Sequence, residues 1–220
     1  MGLRFGLRHS GVREWLKRIL TSRSDVIDDS MSGIECETVY FDKRGKGNTD
    51  RALELAKKRA DELGIRDIVV ASYTGWTGLK ASDVFQGYNL VVVTGMVGYS
   101  GPNVWNMNTE NKRKMEENGA NLVTSLHAFG TLGRAIKNKF GAIQVDEIIA
   151  HVLRLFSQGV KVGCECACMA VDAGLVRAGE EAVSIGGTGT GADTAIILKP
   201  SNTHTFFDTR VLEIICKPRE

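Results

Sequence analysis

The sequence predicts an α/β fold with three layers (α/β/α), in which helices cover both faces of a mostly parallel mixed sheet. Short, continuous apolar runs such as DIVVAS at Asp67–Ser72 and NLVVVT at Asn89–Thr94 indicate buried strands. Segments with apolar residues at helical spacing separate these runs. The 220 residues include 25 glycines and only 3 prolines, which favours one ordered domain with many tight turns.

The predicted elements alternate between strand and helix from residue 36 onward. Strands are predicted at Thr38–Phe41, Asp67–Ser72, Asn89–Thr94, Asn121–Ser125, Ala182–Ile185, Thr194–Leu198 and Arg210–Cys216. Helices are predicted at Thr49–Gly64, Gly78–Phe85, Thr109–Asn118, 127–140, 144–158 and 160–175. No helix separates the last strands, so we expect an antiparallel strand at the edge of the sheet.

Charge divides the chain into a basic N-terminal extension, residues 1–35, and a neutral single domain, residues 36–220. Residues 1–30 hold six basic and four acidic side chains, and the remainder holds 22 of each sign. Apolar residues from Val12 to Leu20 recur at helical spacing, so the extension is expected to be either disordered or helical. A neutral domain predicts no nucleic-acid partner.

Five cysteines and the absence of long apolar runs predict a cytoplasmic protein without membrane contact. No apolar run approaches 18 residues, and no secretory signal is recognisable. An odd number of cysteines does not favour a disulfide framework. Cys164, Cys166 and Cys168 lie in a small-residue segment that is typical of a buried helix, so close packing is favoured over a metal site and no metal is expected.

In a parallel sheet, ligands bind beyond the carboxyl ends of the strands, and this rule defines a set of candidate ligand-binding residues. Twelve candidates lie at the ends of the first four predicted strands, namely Asn48, Thr49, Ser72, Tyr73, Thr74, Gly75, Trp76, Thr77, Thr94, Gly95, Ser125 and His127. Gly186, Gly187, Thr188, Gly189 and Asp193 are added from a glycine-rich segment later in the chain.

The strongest local signal is SYTGWTGLK at Ser72–Lys80, a strand end followed by a glycine turn and a helix start. Free amides at a helix N-terminus, together with hydroxyl groups, bind anions such as phosphate. The basic turn Lys43–Lys46 would add positive charge beside it. The alternative is a simple turn capped by Thr77. The spacing does not match a Walker motif.

The second signal is the glycine-rich segment Gly186–Asp193. Its glycines satisfy a loose G-x-G-x-x-A pattern, but a strand follows where a dinucleotide fingerprint needs a helix. Two explanations fit the glycines of this segment: a ligand approaches the bare backbone closely, or the segment makes a tight turn between strands. Asp193 is accordingly either a ligand contact or a turn cap.

His127 is the candidate catalytic residue, because it is the one histidine at the end of a predicted strand. Asp193 would be its partner in acid–base chemistry. The alternative is a structural, hydrogen-bonded histidine. The two classes of function are therefore a small-molecule binding module and an enzyme that acts in the same cleft.

These segments together resemble the C-terminal α/β domain of pyruvate kinase, and in particular stand-alone archaeal proteins of that kind. The resemblance rests on Asn48-Thr49, Ile68–Lys80, SLHAFGTLG at Ser125–Gly133, FSQGVKVG at Phe156–Gly163 and the segment Gly186–Asp193, and covers roughly residues 36–218. Residues 1–30 lie outside it.

The resemblance implies that Ser72, Thr74, Gly75 and Thr77 cradle the phosphate of a phosphorylated small molecule. Trp76 departs from the small or basic residue that is usual at its position, so a planar ligand such as FMN or another nucleotide is expected rather than a sugar bisphosphate. Pyruvate kinase chemistry is not implied, because its catalytic sites lie in a barrel domain. Packing between such domains implies a homo-oligomer.

Overall fold

Seven strands and six α-helices form the part of the chain that the structure, a computed structural model, describes, residues 33–219. The strands are β1 (Val39–Phe41), β2 (Asp67–Ala71), β3 (Asn89–Val93), β4 (Asn121–Val123), β5 (Ala182–Gly186), β6 (Thr194–Lys199) and β7 (Arg210–Pro218). The helices are α1 (Thr49–Leu63), α2 (Trp76–Val84), α3 (Thr109–Glu117), α4 (Leu132–Phe140), α5 (Val145–Arg154) and α6 (Gln158–Asp172). Of the predicted extension, residues 1–32 lie outside the described residues.

The strands form one mixed sheet in the order β1-β7-β6-β5-β2-β3-β4, with apolar side chains on both faces. Successive residues of a strand point to opposite faces. Ile68 and Val70 of β2 accordingly pack with α1, α2 and α3, whereas Val69 packs with α6 on the other face. The three-layer α/β fold predicted from the sequence is confirmed.

One detail of the sheet prediction needs correction, namely the position of the antiparallel strand. β6 runs antiparallel to both β5 and β7, and every other neighbouring pair is parallel. β6 is therefore inside the sheet and not at its edge. The reason is that the chain after β6 turns back through the 3-10 segment Thr203–Asp208 to add β7, and β1 then pairs with β7 from outside.

The helix boundaries differ from the predicted ones at three turns. α2 begins at Trp76 rather than Gly78, because Gly75 adopts the left-handed conformation (φ 88°) that starts the helix. α4 begins at Leu132, so His127 lies in the preceding turn. α5 ends at Arg154, because Ser157 begins a new helix and its Oγ accepts a hydrogen bond from the Val160 amide at 3.0 Å.

The helix α6 is buried over most of its length, as its small residues predict. Cys164 packs with β6, whereas Cys166 packs on the other side of the helix with β2 and β3. Among residues 33–219, no group of three or more His, Cys, Asp or Glu side chains is arranged to bind a metal ion. None of the helices in this range is both long and apolar enough to cross a membrane.

Candidate functional site

A cleft of about 420 Å³ opens at the carboxyl ends of β2 and β5. From β2 the chain proceeds through α2 to β3 on one side, whereas from β5 it proceeds to β6 on the other. This reversal is a topological switch point, where α/β folds place their ligands. Its lining residues are Ala71, Ser72, Tyr73, Thr74, Trp76, Thr77, Tyr99, His127, Gln158, Val162, Gly187, Gly189, Thr190 and Gly191.

The turn between β2 and α2 forms one wall of the cleft. The buried Ser72 hydroxyl accepts a hydrogen bond from the Gly78 amide at 2.9 Å and thereby fixes the start of α2. Among the described residues, no acceptor pairs with the amides of Gly75, Trp76 and Thr77. Three donors with the positive end of the helix dipole therefore remain at the N-terminus of α2.

Two lysines lie over the indole of Trp76 at this wall. The Lys46 Nζ is 4.2 Å from the ring centroid and the Lys80 Nζ is 5.2 Å from it, both within cation–π range. Lys80 also pairs with Asp50, at 2.7 Å between Nζ and Oδ1. Lys46 has no acidic partner within residues 33–219, so its charge adds to that of the helix terminus. Lys46, the last residue of the basic turn Lys43–Lys46, thus lies beside the N-terminus of α2.

The loop between β5 and β6 forms the opposite wall. It connects two antiparallel strands, so the whole loop stays at the carboxyl end of β5. Gly187, Gly189 and Gly191 bring bare backbone to the cleft, together with Thr190. The loop is held from behind by Asp193, whose carboxylate accepts hydrogen bonds from the amides of Gly45 (2.8 Å) and Thr188 (3.2 Å).

Aromatic side chains close the third side of the cleft. The rings of Tyr73 and Tyr99 meet edge to face at 5.8 Å between centroids, and Tyr99 lies 5.5 Å from the His127 ring. Tyr99 comes from the long loop after β3, where its hydroxyl accepts a hydrogen bond from Arg134 Nη1 at 2.6 Å. A Cβ atom at Gly95 would lie 2.2 Å from the Tyr73 ring, so glycine is required there to seat this tyrosine.

His127 lies half-buried between Tyr99 and a buried ion pair. Burial is the largest effect on its imidazole and lowers its pKa below the ordinary 6.5, with Lys161 and Arg134 acting in the same direction and Glu165 opposing them. Lys161 and Glu165 form a buried pair on α6, and Glu165 also accepts a hydrogen bond from the Phe129 amide at 3.0 Å. The charges nearest His127 are thus those of this pair and Arg134.

Eight predicted site residues line the cleft, which brings together the two strongest sequence signals and the candidate catalytic residue. They are Ser72, Tyr73, Thr74, Trp76, Thr77, His127, Gly187 and Gly189. Their convergence follows from the adjacency of β2 and β5.

The remaining predicted site residues do not line the cleft. Three of them are buried supports: Thr49 accepts a hydrogen bond from the Ala192 amide at 3.0 Å, Thr94 bonds Thr124, and Asp193 is fully buried. Gly75 and Gly95 pack against neighbouring side chains, and Gly186 belongs to the buried strand β5. Three others also lie outside the lining, namely Asn48, Ser125 and Thr188.

Asp193 is therefore placed as a turn cap and not beside His127, which corrects the predicted acid–base pairing. Both oxygens of its carboxylate are engaged, by the Gly45 and Thr188 amides and by the Thr194 hydroxyl at 2.9 Å.

Sequence reasoning missed six lining residues: Ala71, Tyr99, Gln158, Val162, Thr190 and Gly191. Ala71 is the last residue of β2, and Thr190 and Gly191 belong to the glycine loop already identified, so extending both candidate segments would have found them. Gln158 and Val162 form the start of α6, which the helix cap at Ser157 predicts. Tyr99 lies in an irregular loop, and no pattern in that loop indicates which way it folds.

A three-layer α/β domain with a cleft at its switch point belongs to the class of folds that bind small ligands at this edge of the sheet. A family model described as pyruvate kinase, alpha/beta domain, matches residues 50–198. The chain belongs to this family. The matched region begins in α1 and ends in β6, so it includes every residue that lines the cleft.

Proposed function

We propose that the protein is a binding module for a phosphorylated small molecule with a planar group, of which FMN or another nucleotide is the leading candidate. The observation that carries the proposal is the convergence of three amides at the N-terminus of α2 with the charge of Lys46, none of which has a partner among the described residues. Backbone amides at a helix N-terminus and a nearby lysine are the groups that bind phosphate in many proteins.

Hydroxyl groups and bare backbone support the phosphate end of the proposal. Thr74 and Thr77 belong to the same turn as the free amides, and both line the cleft. Gly187 and Gly189 face them from the opposite wall and leave room for a ligand to approach the backbone. A phosphate at α2 would therefore be held on one side and remain accessible on the other.

The aromatic lining supports the planar part of the ligand. Trp76, Tyr73 and Tyr99 supply flat apolar surfaces on two sides of the cleft. The volume of about 420 Å³ lies within the usual range of roughly 300–1,000 Å³ for small-molecule sites. The family match concerns the α/β domain alone, so the proposal attributes no pyruvate kinase activity to this chain. A cytoplasmic location belongs to the proposal and rests on five unpaired cysteines.

Titration of the full chain with FMN, followed by flavin fluorescence, tests this function. Absorbance of the purified protein in the visible blue gives a first indication, and competition by inorganic phosphate tests the phosphate site. Lys46→Ala should weaken binding about tenfold, which is roughly 1.4 kcal/mol. Thr74→Glu should abolish binding by charge repulsion in the cleft.

Lys43→Ala is the matched control, because Lys43 is an exposed lysine of the same turn, whereas the Nζ of Lys46 lies 4.2 Å from the centroid of the Trp76 ring at the cleft wall. Gly75 is unsuitable for substitution, since a Cβ atom there would lie 2.6 Å from the Met107 Sδ and disturb packing. The proposal fails if the parent binds neither FMN nor other phosphorylated nucleotides, or if Lys46→Ala and Thr74→Glu bind as the parent does.

A second candidate function is a flavin-dependent or phospho-substrate enzyme that uses His127. The observation that favours it is a histidine in the cleft wall whose pKa is lowered by burial, so the imidazole is neutral at pH 7 and able to accept a proton. His127→Asn should then retain ligand affinity and lose turnover. Unchanged turnover in this variant would exclude His127 as the catalytic residue, and absence of turnover in the parent would leave only the binding function.

A further inference from the structure

Three polar side chains lie together on the third side of the cleft, and we refer to them as the Tyr99 corner. They are Tyr99 of the loop after β3, His127 of the turn before α4 and Arg134 of the first turn of α4. The centroid of the Tyr99 ring is 5.5 Å from that of His127 and 5.1 Å from Cζ of Arg134. None of the three belongs to the turn before α2 or to the glycine loop, so the corner is distinct from the residues proposed to hold phosphate.

The hydroxyl proton of Tyr99 has no acceptor among the described residues. Arginine only donates hydrogen bonds, so the Tyr99 oxygen is the acceptor in its 2.6 Å bond with Arg134 Nη1. Tyr73 differs, because its hydroxyl donates to Asn106 Oδ1 at 2.8 Å. Of the two tyrosines that line the cleft, Tyr99 is thus the one whose O–H group is available to a ligand.

The guanidinium of Arg134 has no acidic partner within residues 33–219. Lys137, further along the same helix, pairs with Glu147 at 2.8 Å between Nζ and Oε1, whereas the acceptor of Arg134 is the Tyr99 hydroxyl. The guanidinium also lies against Gly130, where a Cβ atom would be 3.4 Å from Nη2 and the φ of 155° favours glycine. Arg134 therefore presents its other N–H groups from a defined position.

The imidazole of His127 adds a third donor. In the described chain, the hydrogen bond at His127 goes to its carbonyl oxygen, from the Thr131 hydroxyl at 3.1 Å, and neither ring nitrogen is paired. Either tautomer of a neutral imidazole carries one N–H group. The neighbouring Lys161–Glu165 pair has no net charge, so the corner carries the single positive charge of Arg134.

We propose that the Tyr99 corner is a second binding site, which takes the carboxylate of a small molecule other than the phosphorylated ligand. Three donors without an acceptor in the described chain are complementary to a group that only accepts hydrogen bonds, as a carboxylate does. The planar fork of a guanidinium matches the two carboxylate oxygens, and its one positive charge matches their one negative charge.

A phosphate monoester fits the N-terminus of α2 better than it fits this corner. It carries a charge of about −1.5 to −2, which the amides of α2 and Lys46 are suited to bind. The two sites share one cleft, so a carboxylate at the Tyr99 corner would lie beside the first ligand. The cleft would then hold two different molecules at once, as a reaction between a bound cofactor and a substrate requires.

Titration of the ligand-free full chain with sodium acetate, at constant pH and ionic strength, tests this site. The NMR signals of the His127 ring, identified by their absence from His127→Asn, report binding. Acetate should shift them with a Kd of about 1 mM, as expected for so small a ligand. Acetamide is the matched probe, because it has the same shape without the charge, and it should leave the signals in place.

Substitutions of the two exposed members of the corner test the contribution of each donor. Arg134→Gln should weaken acetate binding at least about tenfold, and Tyr99→Phe should weaken it about fivefold, while circular dichroism shows an unchanged fold. Lys137→Gln is the control, because it removes an exposed cation of the same helix that already has an acidic partner, and it should bind acetate as the parent does.

The outcome does not depend on the phosphate site, because no phosphorylated ligand is present in the titration. Absence of any shift with acetate, or equal shifts with acetate and acetamide, overturns the proposal. Acetate binding by Arg134→Gln that equals binding by Lys137→Gln overturns it as well.

Discussion

The carboxylate of Asp193 accepts a hydrogen bond from the amide of Gly45 at 2.8 Å, although the two residues are 148 positions apart in the chain. This bond ties the turn after β1 to the loop after β5. The first loop carries Lys46 and the second carries the glycines of the cleft. Asp193 thus determines the relative position of two walls of the site without touching the cleft itself.

Replacement of Asp193 by Ala should destabilise the protein by about 3 kcal/mol. The side chain is fully buried, and its loss leaves the amides of Gly45 and Thr188 without an acceptor. Urea unfolding measures the change. Asp208→Ala is the control, because Asp208 is exposed and its replacement should alter the free energy of unfolding by less than about 0.5 kcal/mol. Equal stability of the two variants would contradict the assigned role.

Replacing one partner of the Lys161–Glu165 ion pair should lower the free energy of unfolding more than replacing both partners. Both side chains are buried, so Lys161→Met leaves an uncompensated carboxylate and should destabilise the protein by about 3–5 kcal/mol. The double variant Lys161→Met/Glu165→Leu should recover part of that loss. Chemical denaturation of the two single variants and the double variant gives the coupling energy. Additive effects of the two substitutions would argue against a direct interaction.

His127 should make the stability of the protein depend on pH below about 6.5. Burial lowers its pKa in the folded state, so the unfolded chain binds the proton more readily. The free energy of unfolding should therefore fall as the pH falls from the ordinary value of 6.5 towards the lowered one. His127→Asn should flatten this dependence, and His151→Asn, at an exposed position, is the control. NMR titration of the imidazole gives the pKa directly, and a value at or above 6.5 would contradict the prediction.

A methyl group at Gly95 should displace Tyr73 and weaken ligand binding in the cleft. Gly95→Ala places a Cβ atom 2.2 Å from the tyrosine ring, which has to move, and overpacking of this kind costs about 1–3 kcal/mol. Gly101→Ala in the same loop is the control, because its Cβ atom would make only an ordinary contact of 3.6 Å with Val104. Calorimetric titration with FMN compares the two variants. The same affinity in both would show that the position of Tyr73 does not matter.

Native protein should react with thiol reagents at Cys36 only. Burial raises the pKa of Cys164 and Cys216 to about 12 and that of Cys168 to about 11, and it also raises the pKa of Cys166. Thiolate is the reactive form, so these four groups are both inaccessible and protonated at pH 8. Mass spectrometry after alkylation should find one modified cysteine in the native protein and five in denaturant. Rapid native labelling at Cys166 would contradict the packing of α6.

The sequence predicts local structure better than it predicts which loops meet. The strands β2 and β3 were predicted to within one residue, because continuous apolar runs report burial on both faces. The turn Ser72–Thr77 was identified by its own residues. The sequence leaves the role of Asp193 open, because a turn cap and a ligand contact differ only in what surrounds the carboxylate. The sequence likewise does not indicate that Tyr99 lines the cleft, since its partners His127 and Arg134 lie in other segments.

The pairing of β1 with β7 has a consequence for synthesis of the protein. Within the sheet, the first strand pairs only with the seventh, with Val39 opposite Cys216. Chains emerge from the ribosome at roughly 5–20 residues per second, so β7 is synthesised on the order of ten seconds after β1. During that time the edge of β1 is unpaired and available to other chains. A nascent chain held at residue 200 should therefore be more prone to aggregation than the complete protein.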